Sequence, residues 1–247
     1  MKKKPKISII GLGYVGLPLA IQLAKHFSIV GFDTNEKRVK ELQSGHDRTN
    51  ECDKIMLSSE NLKICDNQSM LKDSDIYIIT VPTPVNDDNS PDLTALLSAT
   101  NCVASVLKKN NIVVYESTVY PGITENVCGA TLENLTKMKS GKDFFLGYAP
   151  ERINPGDKKH TLNQITKIVS GQTPKITNYL KYIYGLITTA GVFAAKSIQV
   201  AEAAKVIENT QRDINIAFMN EISIIFNKLG LNTHDVLEAA KTKWNFL

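Results

Sequence analysis

A glycine-rich turn directly after a short apolar segment is the feature that most limits how this chain can fold. Residues Lys6–Ile10 read KISII, which is apolar and β-branched and predicts a buried strand. The next residues are Gly11-Leu-Gly13-Tyr-Val-Gly16, a G-x-G-x-x-G pattern, and an apolar helix is predicted over residues 17–26. In this pattern the first glycine makes a tight turn, the second lets the backbone approach a pyrophosphate, and the third lets helix and strand pack closely. The segment therefore predicts a strand–turn–helix unit that binds a dinucleotide.

The basic start and the apolar stretch after it also raise the possibility of a secretion signal. Glycines, Pro18 and Gln22 interrupt the stretch between residues 7 and 24. A membrane span needs about 20 mainly apolar residues in a row. The sequence therefore favours the nucleotide-binding interpretation and predicts no membrane partner.

An acidic residue follows the second predicted strand, Ser28–Phe32 (SIVGF). Asp33 stands about 20 residues after the turn, where an acid accepts hydrogen bonds from the adenosine ribose hydroxyls. Its charge would repel the 2′-phosphate of NADP, so NAD is the predicted cofactor. Lys37 and Arg38 leave this preference open, because either could pair with a phosphate.

Strand and helix patterns alternate along the chain and predict an α/β fold, a Rossmann-type doubly wound parallel sheet. Further strands are predicted over residues 62–65, 75–81, 112–116, 144–148, 165–170 and 192–196, and helices over 35–43 and 92–108. Residues 198–229 contain no proline or glycine and predict one long helix, followed by a helix over 235–243 capped by Asn232 and Thr233. We predict an NAD-binding domain over residues 1–197 and the start of a helical central domain over residues 198–247. The apolar last residues, Trp244-Asn-Phe-Leu247, suggest that this second domain is incomplete.

Composition narrows the class of partner. The net charge is +4, and no dense basic block follows Lys2–Lys4, so no nucleic-acid partner is predicted. The four cysteines form no C-x-x-C pair and the four histidines are scattered, so no metal site is predicted. Free thiols of this kind suit a reducing compartment, and we expect a cytoplasmic protein.

Three proline-containing loops leave the carboxyl ends of predicted strands, which is where doubly wound sheets bind ligands. They are Val81–Pro84, Glu116–Gly122 and Ala149–Gly156. Rigid turns with a surface ion pair between Glu151 and Arg152 are the alternative interpretation.

Lys205 and Asn209 are four residues apart and share one face of the long helix. Neighbouring alanines indicate close packing, so Lys205 is predicted to be partly removed from water. Such a lysine can donate to a developing oxyanion, and Asn209 can hold the same oxygen or a water molecule. A solvated helix stripe is the alternative.

These motifs, in this order, resemble the UDP-glucose/GDP-mannose dehydrogenases, the nucleotide-sugar 6-dehydrogenases. The resemblance is carried by GLGYVGLPLA, VPTP, ESTVYPG, APERINPG and AEAAKVIENT followed by NE, and it covers essentially the whole chain. It implies oxidation of a sugar C6 alcohol to a carboxylate with reduction of two NAD⁺. An aldehyde forms first, a cysteine captures it as a thiohemiacetal, and water cleaves the thioester formed by the second hydride transfer. A homodimer through the 198–229 helix is also implied.

The resemblance implies roles for individual residues. NAD-binding residues would be Gly11, Gly13, Tyr14, Val15, Gly16, Asp33, Arg38, Thr83 and Thr118. Thr118 and Glu151 would position and activate the hydrolytic water, Lys205 would stabilise the oxyanion, and Asn209 would hold that oxygen or the water. Asn220 and Glu221 match an Asn-Glu pair with a structural role in the long helix.

Two departures from the family pattern sharpen the expectation. Arg152 follows Glu151, and Pro155 stands where the glucose branch carries a second acid, so the chain resembles the branch acting on UDP-N-acetylhexosamines such as UDP-GlcNAc, UDP-GalNAc or UDP-ManNAc. The family's Gly-rich cysteine motif and its C-terminal UDP-binding domain would follow residue 247. We therefore expect these 247 residues to bind NAD without full turnover.

Three alternatives stay open at this point. One is a UDP-glucose 6-dehydrogenase. Another is a β-hydroxyacid dehydrogenase of the 6-phosphogluconate type, which also joins a Rossmann domain to a helical domain with a Lys-x-x-x-Asn. The last is an NAD-binding interaction module without enzymatic activity.

Overall fold

The computed structural model describes residues 4–153 and 162–246 of the chain. The chain divides into two units, Met1–Lys205 and Val206–Leu247. Three residues of the third predicted loop, Asn154, Pro155 and Gly156, lie outside the described residues.

An eight-stranded sheet organises the first unit, in the order β3-β2-β1-β4-β5-β6-β7-β8. Its strands are β1 (Lys6–Ile10), β2 (Ser28–Phe32), β3 (Leu62–Cys65), β4 (Ile76–Ile79), β5 (Ile112–Tyr115), β6 (Phe145–Tyr148), β7 (Lys167–Gly171) and β8 (Val192–Ala194). Neighbours from β3 through to β6 are parallel, and the first six strands have the order of a dinucleotide-binding sheet. The Rossmann-type α/β fold is therefore confirmed.

One pair of neighbours departs from the parallel arrangement of the sheet, because β7 pairs with β6 in antiparallel fashion. Parallel neighbours need a long crossover, usually a helix. The described part of the segment between β6 and β7 contains no helix, and β7 runs back along β6. Strand β8 then pairs with β7 in parallel.

Burial explains why the central strands form where they do. All four residues of β4 (IYII) and of β5 (IVVY) are buried, as expected for strands covered by helices on both faces. One apolar cluster surrounds Leu17 and Leu23 of the first helix, and a second surrounds Leu96 and Val103 on another helix. The sheet is thus enclosed by two layers of core.

The helices of the first unit are more numerous than the sequence pattern indicates. They are α1 (Gly16–Ala24), α2 (Glu36–Gln43), α3 (Lys54–Leu57), α4 (Thr94–Ala104), α5 (Ala130–Thr136), α6 (Pro174–Gly185) and the start of α7 (Ile198–Lys228), with a 3₁₀ turn at Gln68–Leu71 and a π-helical segment at Ile123–Gly129. The helix predicted over 92–108 is shorter at both ends, and the Thr94 N–H at its start donates to the Asp92 carboxylate at 2.8 Å. Helices α5 and α6 are not indicated by the sequence analysis above.

The second unit consists of the remainder of α7 and of α8 (Thr233–Lys241). Asn232 caps α8, because its side-chain oxygen accepts from the His234 N–H at 2.8 Å. Both helices were expected from the sequence, within two residues at each end. Within the described parts of the chain, no helix combines the length and the apolar character needed to cross a bilayer.

Candidate functional site

A cleft of about 800 Å³ opens at the carboxyl ends of the central strands, in the range typical of small-molecule sites. It brings together most of the residues that the sequence indicates. Those that line it are Gly11, Gly13, Tyr14, Val15, Asp33, Thr83, Thr118, Glu151 and Lys205. The cleft lies where the strand order reverses between β1 and β4, which is the position expected for a ligand in this type of sheet.

The glycine-rich turn forms one wall of the cleft, and its three glycines have different surroundings. Gly11 has φ +98°, a conformation that other residues rarely adopt. A Cβ atom at Gly16 would lie 1.9 Å from the Gly11 carbonyl oxygen and 2.4 Å from Thr80 Oγ1, so only glycine fits. A Cβ atom at Gly13 would meet no protein atom within 4 Å, so the backbone there is open to a ligand.

Asp33 fixes the turn and retains capacity for a ligand. One carboxylate oxygen accepts from the Leu12 N–H at 2.8 Å, and the other accepts from the Asn35 N–H at 2.9 Å. A carboxylate can accept about four hydrogen bonds, so acceptor sites remain for two hydroxyl groups.

Arg38 lies beside the turn, outside the residues that line the cleft. It is 5% exposed; its Nε donates to the Leu12 carbonyl oxygen at 2.9 Å, and its Nη2 lies 2.7 Å from Asp47 Oδ1. The structure therefore places Arg38 as a support of the turn, and its contact with NAD stays a prediction.

Two loops are tied together across the floor of the cleft. Thr83 Oγ1 donates to the Thr118 carbonyl oxygen at 2.6 Å, and Ser117 Oγ donates to the Val81 carbonyl oxygen at 2.6 Å. The Thr118 side chain itself is exposed, so its hydroxyl is available to a ligand.

A buried charge network underlies Glu151. The ammonium group of Lys167 lies 2.7 Å from Glu116 Oε2 and 3.3 Å from Glu151 Oε2, and Tyr184 donates its hydroxyl to the other oxygen of Glu116. The second oxygen of Glu151 accepts from the N–H groups of Arg152 and Ile153, at 2.6 and 2.8 Å. The carboxylate of Glu151 is thus held on both oxygens at the edge of the cleft. The predicted surface ion pair with Arg152 is replaced by a bond to the Arg152 backbone.

Burial and charge act against each other in this network. Burial raises the pKa of Glu116, and although Lys167 lowers it, the net pKa is above the ordinary glutamate value. Burial lowers the pKa of Lys167, but Glu116 and Glu151 raise it more, so the net pKa is above the ordinary lysine value. Lys167 is therefore a buried cation that two carboxylates keep protonated.

Lys205 enters the cleft from the first turns of α7. Its ammonium group donates to the Glu151 carbonyl oxygen, so Lys205 is partly buried and close to the loop that follows β6. The neighbouring Glu202 is fully buried and accepts from the N–H groups of Gly122 and Thr124, at 2.6 and 2.9 Å. This carboxylate joins the start of α7 to the loop that carries Thr118.

Asn209 belongs to the second unit, where Arg212 Nη2 donates to its side-chain oxygen at 2.6 Å. Its predicted role stays a prediction. Sequence patterns do not indicate Lys167, Tyr184 or Glu202 as site residues, because their partners are 16–80 residues away in the chain.

The residues present fit a dinucleotide and do not indicate a metal ion. The open backbone at Gly13 lies just before the N-terminus of α1, whose dipole favours a phosphate group, and Asp33 has acceptors for ribose hydroxyls. Among the described residues, no group of three or more His, Cys, Asp or Glu side chains could hold a metal.

Comparisons with known proteins agree with this geometry. Residues 5–188 match the NAD binding domain model of the UDP-glucose/GDP-mannose dehydrogenase family, and residues 199–246 match the central domain model of the same family. Protein CapL of Staphylococcus aureus is 54% identical over 241 residues, which are 98% of this chain and 57% of CapL. The UDP-N-acetyl-D-glucosamine 6-dehydrogenase of Pseudomonas aeruginosa is 51% identical over 246 residues, 99% of this chain and 58% of that protein.

A solved structure shows the same relationship. The UDP-D-ManNAc dehydrogenase of Pyrococcus horikoshii has a TM-score of 0.91 at 36% identity, covering 98% of this chain and 58% of that one. The chain thus spans a little more than half the length of the relatives it matches. With both family models matched in order along the chain, and with the glycine turn, Asp33, Glu151 and Lys205 placed in or around one cleft, the chain belongs to the UDP-glucose/GDP-mannose dehydrogenase family.

Proposed function

We propose that this chain is the NAD-binding and catalytic part of a UDP-sugar 6-dehydrogenase that oxidises the C6 alcohol of a UDP-N-acetylhexosamine to the uronate. The observation that carries the proposal is a single cleft that joins the Gly11–Gly16 turn and Asp33 to Thr118, Glu151 and Lys205. The names of relatives that act on UDP-N-acetyl-D-glucosamine and UDP-D-ManNAc support this substrate class.

NAD would accept the hydride in this chemistry. Backbone N–H groups around Gly13 would hold the pyrophosphate, with Gly11 and Gly16 shaping the turn and Tyr14 and Val15 lining its edge. Asp33 would accept from the adenosine ribose hydroxyls. Thr83 and Thr118 would lie against the remainder of the cofactor, with the two loops held together by the hydrogen bond from Thr83 Oγ1 to the Thr118 carbonyl oxygen.

The substrate side of the cleft would use the charges around Glu151. Lys205 is a cation at the cleft wall, so it would stabilise negative charge that develops on the substrate oxygen. The Glu151 carboxylate, fixed by Lys167 and by two backbone N–H groups, would accept a proton from the attacking water, with Thr118 orienting that water. We propose that Asn209 assists by holding the same oxygen or the water.

None of the four cysteines suits covalent capture of an aldehyde. Burial raises the pKa of Cys52 to about 12 and those of Cys102 and Cys128 to about 11, and the pKa of Cys65 is also raised by burial. The thiolate is the reacting form of cysteine, so these thiols are poor nucleophiles at neutral pH. We propose that the 247 residues alone bind NAD without sustained production of NADH from a UDP-sugar.

Free thiols of this kind suit the cytoplasm, which we propose as the location.

A homodimer through the 198–229 helix is part of the proposal. Large apolar side chains of α7 are exposed in the second unit, where they could be covered by a second copy; they include Ile214, Ile216, Phe218, Ile224 and Ile225. Light scattering on the chain and on Phe218→Asp tests this point. A dimer that becomes a monomer on substitution supports the pairing, and a monomeric unaltered chain contradicts it.

Calorimetric titration with NADH tests the cofactor assignment. The unaltered chain should bind NADH, and Asp33→Ala should weaken binding at least tenfold, through loss of hydrogen bonds to a charged group. Asp66→Ala is the matched control, because Asp66 also follows a parallel strand but lies outside the cleft. Equal NADH affinity in the unaltered chain and Asp33→Ala would contradict the proposal.

Competing substrates test the sugar assignment. UDP-GlcNAc, UDP-GalNAc and UDP-ManNAc should bind to the NADH-loaded chain more tightly than UDP-glucose or 6-phosphogluconate. Preferential binding of 6-phosphogluconate would favour the β-hydroxyacid dehydrogenase alternative instead.

A further inference from the structure

Three basic residues, Lys37, Arg38 and Arg48, follow Asp33, the proposed ribose acceptor, in the chain. Lys37 is exposed at the start of α2, and Arg48 is paired with Glu41 at 2.5 Å on the surface. Arg38 is the one that the structure removes from solvent, with its side chain only 6% exposed. Whether Arg38 can pair with a 2′-phosphate at Asp33 therefore depends on the groups that hold its side chain.

Arg38 lies close to the carboxylate that would bind the ribose. Arg38 Nε binds the Leu12 carbonyl oxygen, and Asp33 binds the Leu12 N–H. Both side chains thus contact the same residue of the turn, one at its N–H and the other at its carbonyl oxygen. A guanidinium group bound to the same residue could pair with a 2′-phosphate at Asp33 if it were released, since arginine pairs with phosphate in planar bidentate fashion.

The carboxylate of Asp47 holds the guanidinium group of Arg38. The Asp47 side chain is fully buried, and its Oδ1 lies 2.7 Å from Arg38 Nη2. Its oxygens also accept from the N–H groups of Thr49, Glu51 and Cys52 at 3.0–3.1 Å, and from Thr49 Oγ1 at 2.7 Å. Backbone bonds therefore fix the Asp47 carboxylate in place independently of Arg38.

The charge state of Asp47 agrees with this geometry. Burial raises its pKa, but the hydrogen bonds from Thr49 and the positive charge of Arg38 lower it more, so the net pKa is below the ordinary aspartate value. At neutral pH the carboxylate is ionised and neutralises the guanidinium group of Arg38.

We propose that Asp47 is a specificity-determining residue that selects NAD over NADP by sequestering Arg38. The 2′-phosphate of NADP would meet the negative charge of Asp33 without a free guanidinium group to offset it. This inference rests on the proposed function, because it requires NAD in the cleft. Asp47 does not line the cleft, and it acts through its ion pair with Arg38.

Paired titrations with NADH and NADPH test the proposal on the full chain. In Asp47→Asn the ratio of the NADPH to the NADH dissociation constant should fall by about tenfold or more, the effect of one gained hydrogen bond to a charged group. Asp73→Asn is the matched control, because it releases Lys108 on the surface away from the cleft and should leave the ratio within about twofold, as expected for an exposed ion pair. The double variant Asp47→Asn/Arg38→Gln should lose the gain.

A second variant covers the case in which Asp47→Asn does not fold. If Arg38 is already sequestered, Arg38→Gln alone should leave the NADPH to NADH ratio unchanged. A selective loss of NADPH affinity in Arg38→Gln would overturn the proposal, as would an unchanged ratio in folded Asp47→Asn or an equal effect in Asp73→Asn. Absence of NADH binding by the unaltered chain would overturn the proposed function together with this inference, and that result differs from all the others.

Discussion

The ammonium nitrogen of Lys167 lies 2.7 Å from a carboxylate oxygen of Glu116, and both side chains are almost completely buried. Glu116 directly follows β5 and Lys167 begins β7, so the two residues lie on either side of β6. A buried charge is costly unless a partner and further hydrogen bonds satisfy it, and Glu151 and Tyr184 complete that satisfaction here. The pair therefore links the stability of the sheet to the edge of the cleft.

Removal of the Lys167 charge should destabilise the protein. Lys167→Met leaves Glu116 buried without its cation, so we expect a loss of about 3–5 kcal/mol in the free energy of unfolding. Urea denaturation followed by circular dichroism measures it. Lys40→Met breaks an exposed pair with Glu36 and should cost less than about 0.5 kcal/mol.

The double variant Lys167→Met/Glu116→Gln separates charge from packing. With both charges removed, part of the lost stability should return, because the uncompensated carboxylate is gone. Equal destabilisation in the single and double variants would show that packing, and not charge, determines the loss.

The same pair predicts a stability change at alkaline pH. The folded-state pKa of Lys167 is raised above its ordinary value of 10.5, so its contribution is complete below pH 10.5 and is lost as pH rises through the folded value. Thermal unfolding of the unaltered chain and of Lys167→Met between pH 8 and about 11.5 tests this. The difference between the two melting temperatures should stay constant up to pH 10.5 and narrow above it. A difference that narrows between pH 8 and 10 would contradict the assignment.

The glycines of the turn should respond differently to alanine. Gly16→Ala places a Cβ atom 1.9 Å from a backbone oxygen and should lower the melting temperature. Gly13→Ala meets no protein atom within 4 Å, so it should melt like the unaltered chain and yet lose NADH affinity. Differential scanning calorimetry and NADH titration measure the two effects. Full NADH affinity in Gly13→Ala would mean that no ligand approaches the turn there.

Thiol reactivity reports on both burial and the cleft. With the pKa of Cys102 raised from 9.0 to about 11, its thiolate fraction at pH 8 is about a hundredfold below that of the unfolded chain. Alkylation by iodoacetamide, followed by peptide mass spectrometry, should be slower in proportion. Saturating NADH should slow it further at Cys102, which lines the cleft, and not at Cys52, which does not. Equal protection of both thiols would indicate general tightening of the fold instead.

Local patterns predict the cofactor side of the molecule well. The strand, the turn and Asp33 lie within 28 consecutive residues, and each follows from chemistry that is visible in a short window. Their placement in one cleft follows from the rule that parallel strands present their carboxyl ends at the same edge.

The charge network could not be predicted in the same way. Lys167 is 51 residues from Glu116, and in sequence it has the appearance of a surface cation in an apolar strand. Its burial depends on β7 running antiparallel to β6, a choice made by tertiary packing and not by local propensity. Helix α6, which carries Tyr184, begins with a Thr173 cap and Pro174, signals that were available in the sequence.

The hydrogen bond from the Leu12 N–H to the Asp33 carboxylate limits which residues can replace Asp33. Any evolutionary route that exchanges the acid to accept another nucleotide must also supply a new acceptor for that amide, or the phosphate turn loses an anchor. Mutational drift at position 33 is thereby limited by architecture as well as by the ligand, and substitutes that retain an oxygen at the same place are the ones we expect among natural variants.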